Sequence, residues 1–192
     1  MTCPTIPMDQ TLKFLIDLLN TPSPTGDTEA AMALIREAFS PLPLEIARTR
    51  KGGLVLTWLG STAKPRALTA HTDTLGAMVR KIKDNGRLEL TQIGHFDWHA
   101  VENEGCTITT SAAEASKAAE ASKAAEASKE GKAYRGTIVN TKVSVHIFGE
   151  ATQKLERNAQ NFEVRIDAHT SDAEQTRALG INVGDFVYLD PR

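Results

Sequence analysis

The spacing of apolar residues changes period along the chain. Leu12, Leu15, Ile16 and Leu19 recur at i, i+3, i+4 and i+7, which predicts an amphipathic helix with Asp9 as its cap. Asn20–Gly26 breaks that pattern, because Pro22 and Pro24 cannot continue a helix. A second helix is predicted from Asp27 or Thr28, with Ala31, Leu34, Ile35 and Ala38 inward and Pro41 and Pro43 as its stop. Strand-like runs follow. Leu44–Thr49 and Leu54–Leu59 flank Lys51–Gly53 as a hairpin, and Arg66–Ala70 is predicted as a third strand running straight into His71–Asp73.

Beyond residue 74 the pattern is almost wholly β. Ala77–Lys83 and Leu88–Ile93 flank Asp84-Asn85-Gly86, a strong hairpin turn. Cys106–Thr110 is expected to pair with Tyr134–Val139, and Val143–Phe148 is predicted as a further strand. Glu150–Gln160 is polar and reads as a surface helix or loop, and Phe162–Ile166 is a strand. Ser171–Glu174 has the form of a capping box for a helix ending at Leu179-Gly180, and Asp185–Leu189 is the last predicted strand. The class expected is α/β: an α/β piece joined to a small barrel or sandwich of short strands.

One segment stands outside both periods. AAEASK occurs three times over residues 112–129, with helix-forming residues and no large apolar side chain to bury. It reads as an exposed, partly helical insertion into the hairpin between Cys106–Thr110 and Tyr134–Val139, since its removal leaves a tight connection.

Composition narrows the setting. With 192 residues, Lys+Arg 22 against Asp+Glu 24, 41% hydrophobic and 24% charged residues, the chain has the balance of a globular protein. No uninterrupted apolar run is long enough to span a bilayer, and Met1–Leu19 lacks a basic region, so neither membrane nor secretion is expected. The absence of a basic stripe argues against nucleic acid as a partner. Two cysteines, Cys3 and Cys106, give no disulfide framework, and the cytoplasm is the expected compartment.

His71 and Asp73 are the sharpest candidates for chemistry. At the end of an apolar strand, a neutral imidazole can bind zinc or cobalt while a carboxylate two residues on orients it. The same residues also suit a polar strand end in which Asp73 caps a turn. His95 and His99 have i, i+4 spacing, yet Gly94–Ala100 does not read as a helix, so they are expected to be loop residues. Asp97, Glu102 and Glu104 read as a solvated loop, His146 and His169 as structural residues of or beside strands, and Cys106 as a small core residue. No nucleophile elbow, phosphate loop or dinucleotide fingerprint occurs.

Four passages, taken in order, resemble one family. They are Leu12–Leu19 with Pro22–Gly26; Ala67–Val79 around His71-Thr72-Asp73; Tyr134–Ile138 through His146; and Phe162–Asp167 with Leu179–Val187 and Asp190-Pro191-Arg192. The resemblance is to the dinuclear-metal aminopeptidases that assemble as hollow tetrahedral particles, labelled glutamyl, leucyl or deblocking aminopeptidases and sometimes endoglucanases. It implies removal of N-terminal residues from peptides by water activated between two divalent ions, zinc or cobalt. It makes His71 a metal ligand and Asp73 the catalytic-site residue that orients it. It assigns residues 1–73 to an incomplete α/β/α catalytic sandwich, 74–183 to an inserted β-barrel used for dimerisation, and 184–192 to a return to the catalytic domain.

The family's other ligands and its general base lie later in its chain than the part matched here. One imidazole cannot hold two ions, and no glutamate is placed to take the water proton. The sequence is therefore expected to be the first part of such an enzyme, with at most one partial metal site, and inactive alone. Peptides are the expected substrates of intact relatives, and a homo-oligomer through the barrel is the expected assembly. A non-catalytic oligomerisation protein is the alternative. A glycoside hydrolase ranks last, because aromatics are only 5% and nothing suggests a sugar platform.

Overall fold

A computed structural model describes residues 8–58, 60, 66–110 and 131–190. The AAEASK insertion, Cys3 and the last two residues lie outside them. The chain divides into two compact units, one running to Thr74 and the other spanning Leu75–Asp190. Among the described residues no helix is long and apolar enough to cross a membrane.

The first unit holds α1 (Met8–Asn20), α2 (Glu29–Phe39) and a hairpin of β1 (Glu45–Arg48) and β2 (Leu54–Thr57). Asp9 lies inside the first turn of α1, not at its cap, because the helix has already begun at Met8. At the far end Thr21 Oγ1 donates to the Asp17 carbonyl and Asn20 Nδ2 to that of Ile16. The periodicity was read correctly as a helix, but its apolar stripe is not buried. Leu12, Leu15, Ile16 and Leu19 are all about half exposed, and Phe14 instead meets Phe39 of α2 edge-on at 6.4 Å. Ala31 is fully buried on α2, and Arg48 of β1 pairs with Glu29 at 2.6 Å.

Arg66–Ala70 is not a strand. A strand exists through ladder hydrogen bonds, and among the described residues none pairs with this segment, which leaves Leu68 fully open to solvent. Only Thr74, just beyond, reaches a neighbour, through a single parallel bridge to Pro24.

The second unit is a closed antiparallel barrel of six strands: β3 (Gly76–Ile82), β4 (Leu88–Ile93), β5 (Gly105–Thr109), β6 (Ala133–Asn140), β7 (Phe162–Ile166) and β8 (Phe186–Leu189). Their order around the barrel is β3-β4-β7-β6-β5-β8. Alternation places Val79, Leu88, Leu90, Ile108, Ile138, Phe162, Val164 and Val187 inward, each at most 1% exposed. A bulge between Val79 and Lys81 shifts the register, so Arg80 and Lys81 both face outward before Ile82 turns in again. Trp98 stacks on Phe162 at 5.4 Å and closes the core together with Phe96. β5 and β6 pair as expected, with Thr109 opposite Ala133. β8, which the sequence placed in the return to the first unit, completes the barrel between β3 and β5.

Closure also explains why Val143–Phe148 is not a strand. β6 and β7 already have neighbours on both sides, so no edge remains to accept another. Val145–Phe148 forms a single helical turn, α3, held by Phe148 N–H on the Ser144 carbonyl. The last helix, α4 (Ala173–Ala178), is capped one residue later than the capping box predicts. Asp172 accepts from the Gln175 amide, while the Gln175 side chain reaches back to the Ser171 N–H. The β3–β4 turn packs on this helix. Thr176 Oγ1 donates to the Gly86 carbonyl at 2.8 Å, and a Cβ at Gly86 (φ +79°) would come within 2.9 Å of the Asp172 oxygen.

Candidate functional site

The proline loop and the His71–Asp73 segment, far apart in sequence, are stitched together. The Thr74 amide donates to the Ser23 carbonyl at 2.7 Å, next to the Pro24–Thr74 bridge. Thr25 Oγ1 donates to Asp73 Oδ2 at 2.7 Å. A turn beyond, the Asp27 amide donates to the Pro24 carbonyl at 2.8 Å. These bonds place Asp73 without any strand beneath it.

His71 leans back on Asp73. Its Nδ1 lies 3.2 Å from Asp73 Oδ1 and 3.2 Å from the Asp73 backbone carbonyl. Both atoms can only accept, so Nδ1 is the nitrogen placed to donate, and in the neutral ring that leaves the Nε2 lone pair free. The His71 side chain is 85% exposed and that of Asp73 41%. The Thr25 hydroxyl holds the Asp73 carboxyl below its ordinary pKa, an effect that slight burial opposes and the nearby His71 assists.

In metal sites a carboxylate set against one imidazole nitrogen orients the ring for ligation through the other. The pair is not a metal centre. Among the described residues no three His, Cys, Asp or Glu side chains converge as an ion requires. The donor set is one imidazole, which does not fit a complete site for either of two ions. Beside it, Ser23 Oγ and Thr72 Oγ1 are buried without a hydrogen-bond partner.

The other candidates fall elsewhere. Phe96 and Trp98 turn into the barrel core, which leaves His95, Asp97 and His99 pointing outward around a short 3-10 turn at Trp98–Ala100. His146 is exposed on α3, where it was expected within a strand, and His169 is exposed after β7. Glu102 is not simply solvated: it accepts from Asn140 at 2.8 Å and Arg157 at 3.2 Å. Cys106 is fully buried, and desolvation pushes its thiol up to about 12, so it is a core residue and no nucleophile at neutral pH.

Two residues escaped the sequence reading. Thr25 was visible only as part of a proline-rich break. Glu163, which the alternation of Phe162–Ile166 assigns to the outward face, is buried and ion-paired to both Lys83 and Arg87 across the β3–β4 turn. A lone glutamate between Phe162 and Val164 was the available signal.

Comparison with known proteins agrees with this picture. A family model for M42 glutamyl aminopeptidase matches residues 52–192. YhfE of Bacillus subtilis (strain 168), provisionally designated an aminopeptidase, is 40% identical over 184 residues; the alignment covers 95% of this chain and 48% of that protein. The chain therefore spans about half the length of the curated relative it matches. A TET aminopeptidase from the marine sediment archaeon Thaumarchaeota archaeon SCGC AB-539-E09 shares the fold, with a TM-score of 0.75 at 19% identity over 94% of this chain and 44% of that one. The TET1 peptidase of Pyrococcus horikoshii, which can assemble into a tetrahedron or a large octahedral shell, gives 0.64 at 16% identity over 94% and 47%. On the family match and the 40% relative together, this chain belongs to the M42 glutamyl aminopeptidase family.

Proposed function

We propose that the chain carries one part of a metal-dependent aminopeptidase that removes N-terminal residues from peptides, and that it does not hydrolyse them alone. The observation that carries this reading is the His71–Asp73 pair: Nδ1 is tied back, the ring is exposed, and among the described residues no group of three His, Cys, Asp or Glu forms around it. His71 contributes one ligand for zinc or cobalt, and Asp73 orients it. The remaining ligands and the general base belong to sequence corresponding to the half of the relative that is not matched here. The buried, unpaired hydroxyls of Ser23 and Thr72 and the open face of α1 support a catalytic unit that needs that half for completion.

Residues up to 73 form the first part of the catalytic domain, and the barrel is the inserted assembly domain. Val143, Val145, Ile147 and Phe148 leave an apolar patch on the barrel unit, which supports homo-oligomerisation through it. The same patch on a self-closed barrel is what favours a second reading, an oligomerisation protein without catalysis.

The experiment is reconstitution. The chain is co-produced with the unmatched part of YhfE, and hydrolysis of an aminoacyl amide is followed with added zinc or cobalt. The expected result is turnover by the pair and not by either part, abolished by His71→Ala. Association without turnover would favour the second reading, and turnover indifferent to His71→Ala would remove this residue from the site.

A further inference from the structure

We propose that Thr25 is a positioning residue, whose hydroxyl sets the Asp73 carboxylate and through it decides which imidazole nitrogen of His71 faces outward. This rests on the reading of His71 and Asp73 as ligand and orienter and adds a third member to that pair.

The geometry supplies a reason for such a member. The His71 ring is 85% exposed, so packing does not orient it, and the bonds at Nδ1 must. The Asp73 backbone carbonyl offers one of them, and the other depends on where Asp73 Oδ1 points. A carboxylate that is 41% exposed turns freely unless its other oxygen is held. Thr25 holds Oδ2 at 2.7 Å. Thr25 itself sits on a stiff frame: Pro22 and Pro24 fix the backbone before it, the Ser23–Thr74 bond and the Pro24–Thr74 bridge pin that loop beside Asp73, and the Asp27–Pro24 turn closes it behind. A β-branched side chain further restricts the hydroxyl's direction. The chain of bonds runs one way, from loop to hydroxyl to carboxylate to imidazole Nδ1.

The test reads the tautomer of His71 in the 192-residue chain, by ¹⁵N imidazole shifts at a fixed alkaline pH where the ring is neutral. The His71 signals are assigned by their loss in His71→Gln. The expected result is a dominant Nδ1–H form in the unaltered chain. Thr25→Val, which keeps the shape and removes the donor, lowers the ratio of Nδ1–H to Nε2–H by about threefold, the scale of an exposed charged hydrogen bond. Thr25→Ser restores it. A dominant Nε2–H form in the unaltered chain overturns the proposal without any variant. So does an unchanged ratio in Thr25→Val, and so does loss of the β1–β2 amide dispersion in that variant, which would mark Thr25 as merely structural. No peptidase activity enters the readout, so failed reconstitution with YhfE and failure of this relay remain separate results.

Discussion

The two units solve the burial problem differently. The barrel closes on itself, pairs every strand on both sides and packs Phe162, Leu88, Leu90, Ile108, Ile138 and Val164 into one core. Among its described residues the first unit has a two-stranded hairpin, one fully buried alanine among the aliphatic side chains, and a helix whose best apolar stripe is open to water. Yet it is the first unit that carries His71 and Asp73. The lesson is that one unit of a chain can be self-sufficient in burial while the other is not. A two-stranded ribbon is marginal without further cover, and an ion site is incomplete without further donors.

The contrast breaks first in the barrel core. Phe162→Ala should destabilise that unit by about 3–5 kcal/mol, through lost transfer energy and the cavity beneath Trp98. Urea unfolding followed by Trp98 fluorescence measures it, and a loss below about 1 kcal/mol would mean that the core is looser than its burial implies. Glu163→Gln comes next. It leaves Lys83 and Arg87, both partly exposed, without their shared counter-charge, at an expected cost of about 1–3 kcal/mol in the same assay.

Alkaline titration gives a smaller effect of defined sign. Burial pushes the folded Cys106 thiol up to about 12 from an ordinary 9.0, so the unfolded chain gives up its proton first. Barrel stability should therefore fall as pH rises above about 9, and Cys106→Ala should flatten that fall. Opposite the large barrel effects stands Leu15→Ala in α1, expected to change stability by no more than about 0.5 kcal/mol, because the side chain is already half exposed. A cost comparable to that of Phe162→Ala would erase the distinction between the units. Smallest of all is the acid response of Asp73. Its carboxyl is held below the ordinary value, so the stability it lends is present at neutral pH and is lost as pH falls through its folded pKa. At its exposure this amounts to a few tenths of a kcal/mol at about the level of a surface pair, and Thr25→Val should remove it.

How much of this was legible in the sequence follows the same division. Strands that bury one face show it by alternation, and β3 through β8 were readable because each has a core to face. Val143–Phe148 alternates as well, but local pattern carries no count of free edges, and the closed barrel had none to offer. Leu12–Leu19 is a helix as its period predicts, with its stripe open, because periodicity reports what a helix is made to bury and not whether the cover is present. Arg66–Ala70 failed for the related reason that a strand is a property of two segments. His71 and Asp73 were found by spacing and resemblance. Thr25 was not, since its role exists only once the Ser23–Thr74 bond brings the proline loop alongside.

The central claim is that the first unit holds one ligand of an aminopeptidase centre and not the centre. Hydrolysis of aminoacyl amides by the purified chain, with saturating zinc or cobalt and with His71→Ala as control, tests it most directly. The account predicts no turnover above the control. Chelator-sensitive turnover that disappears with His71→Ala would contradict it.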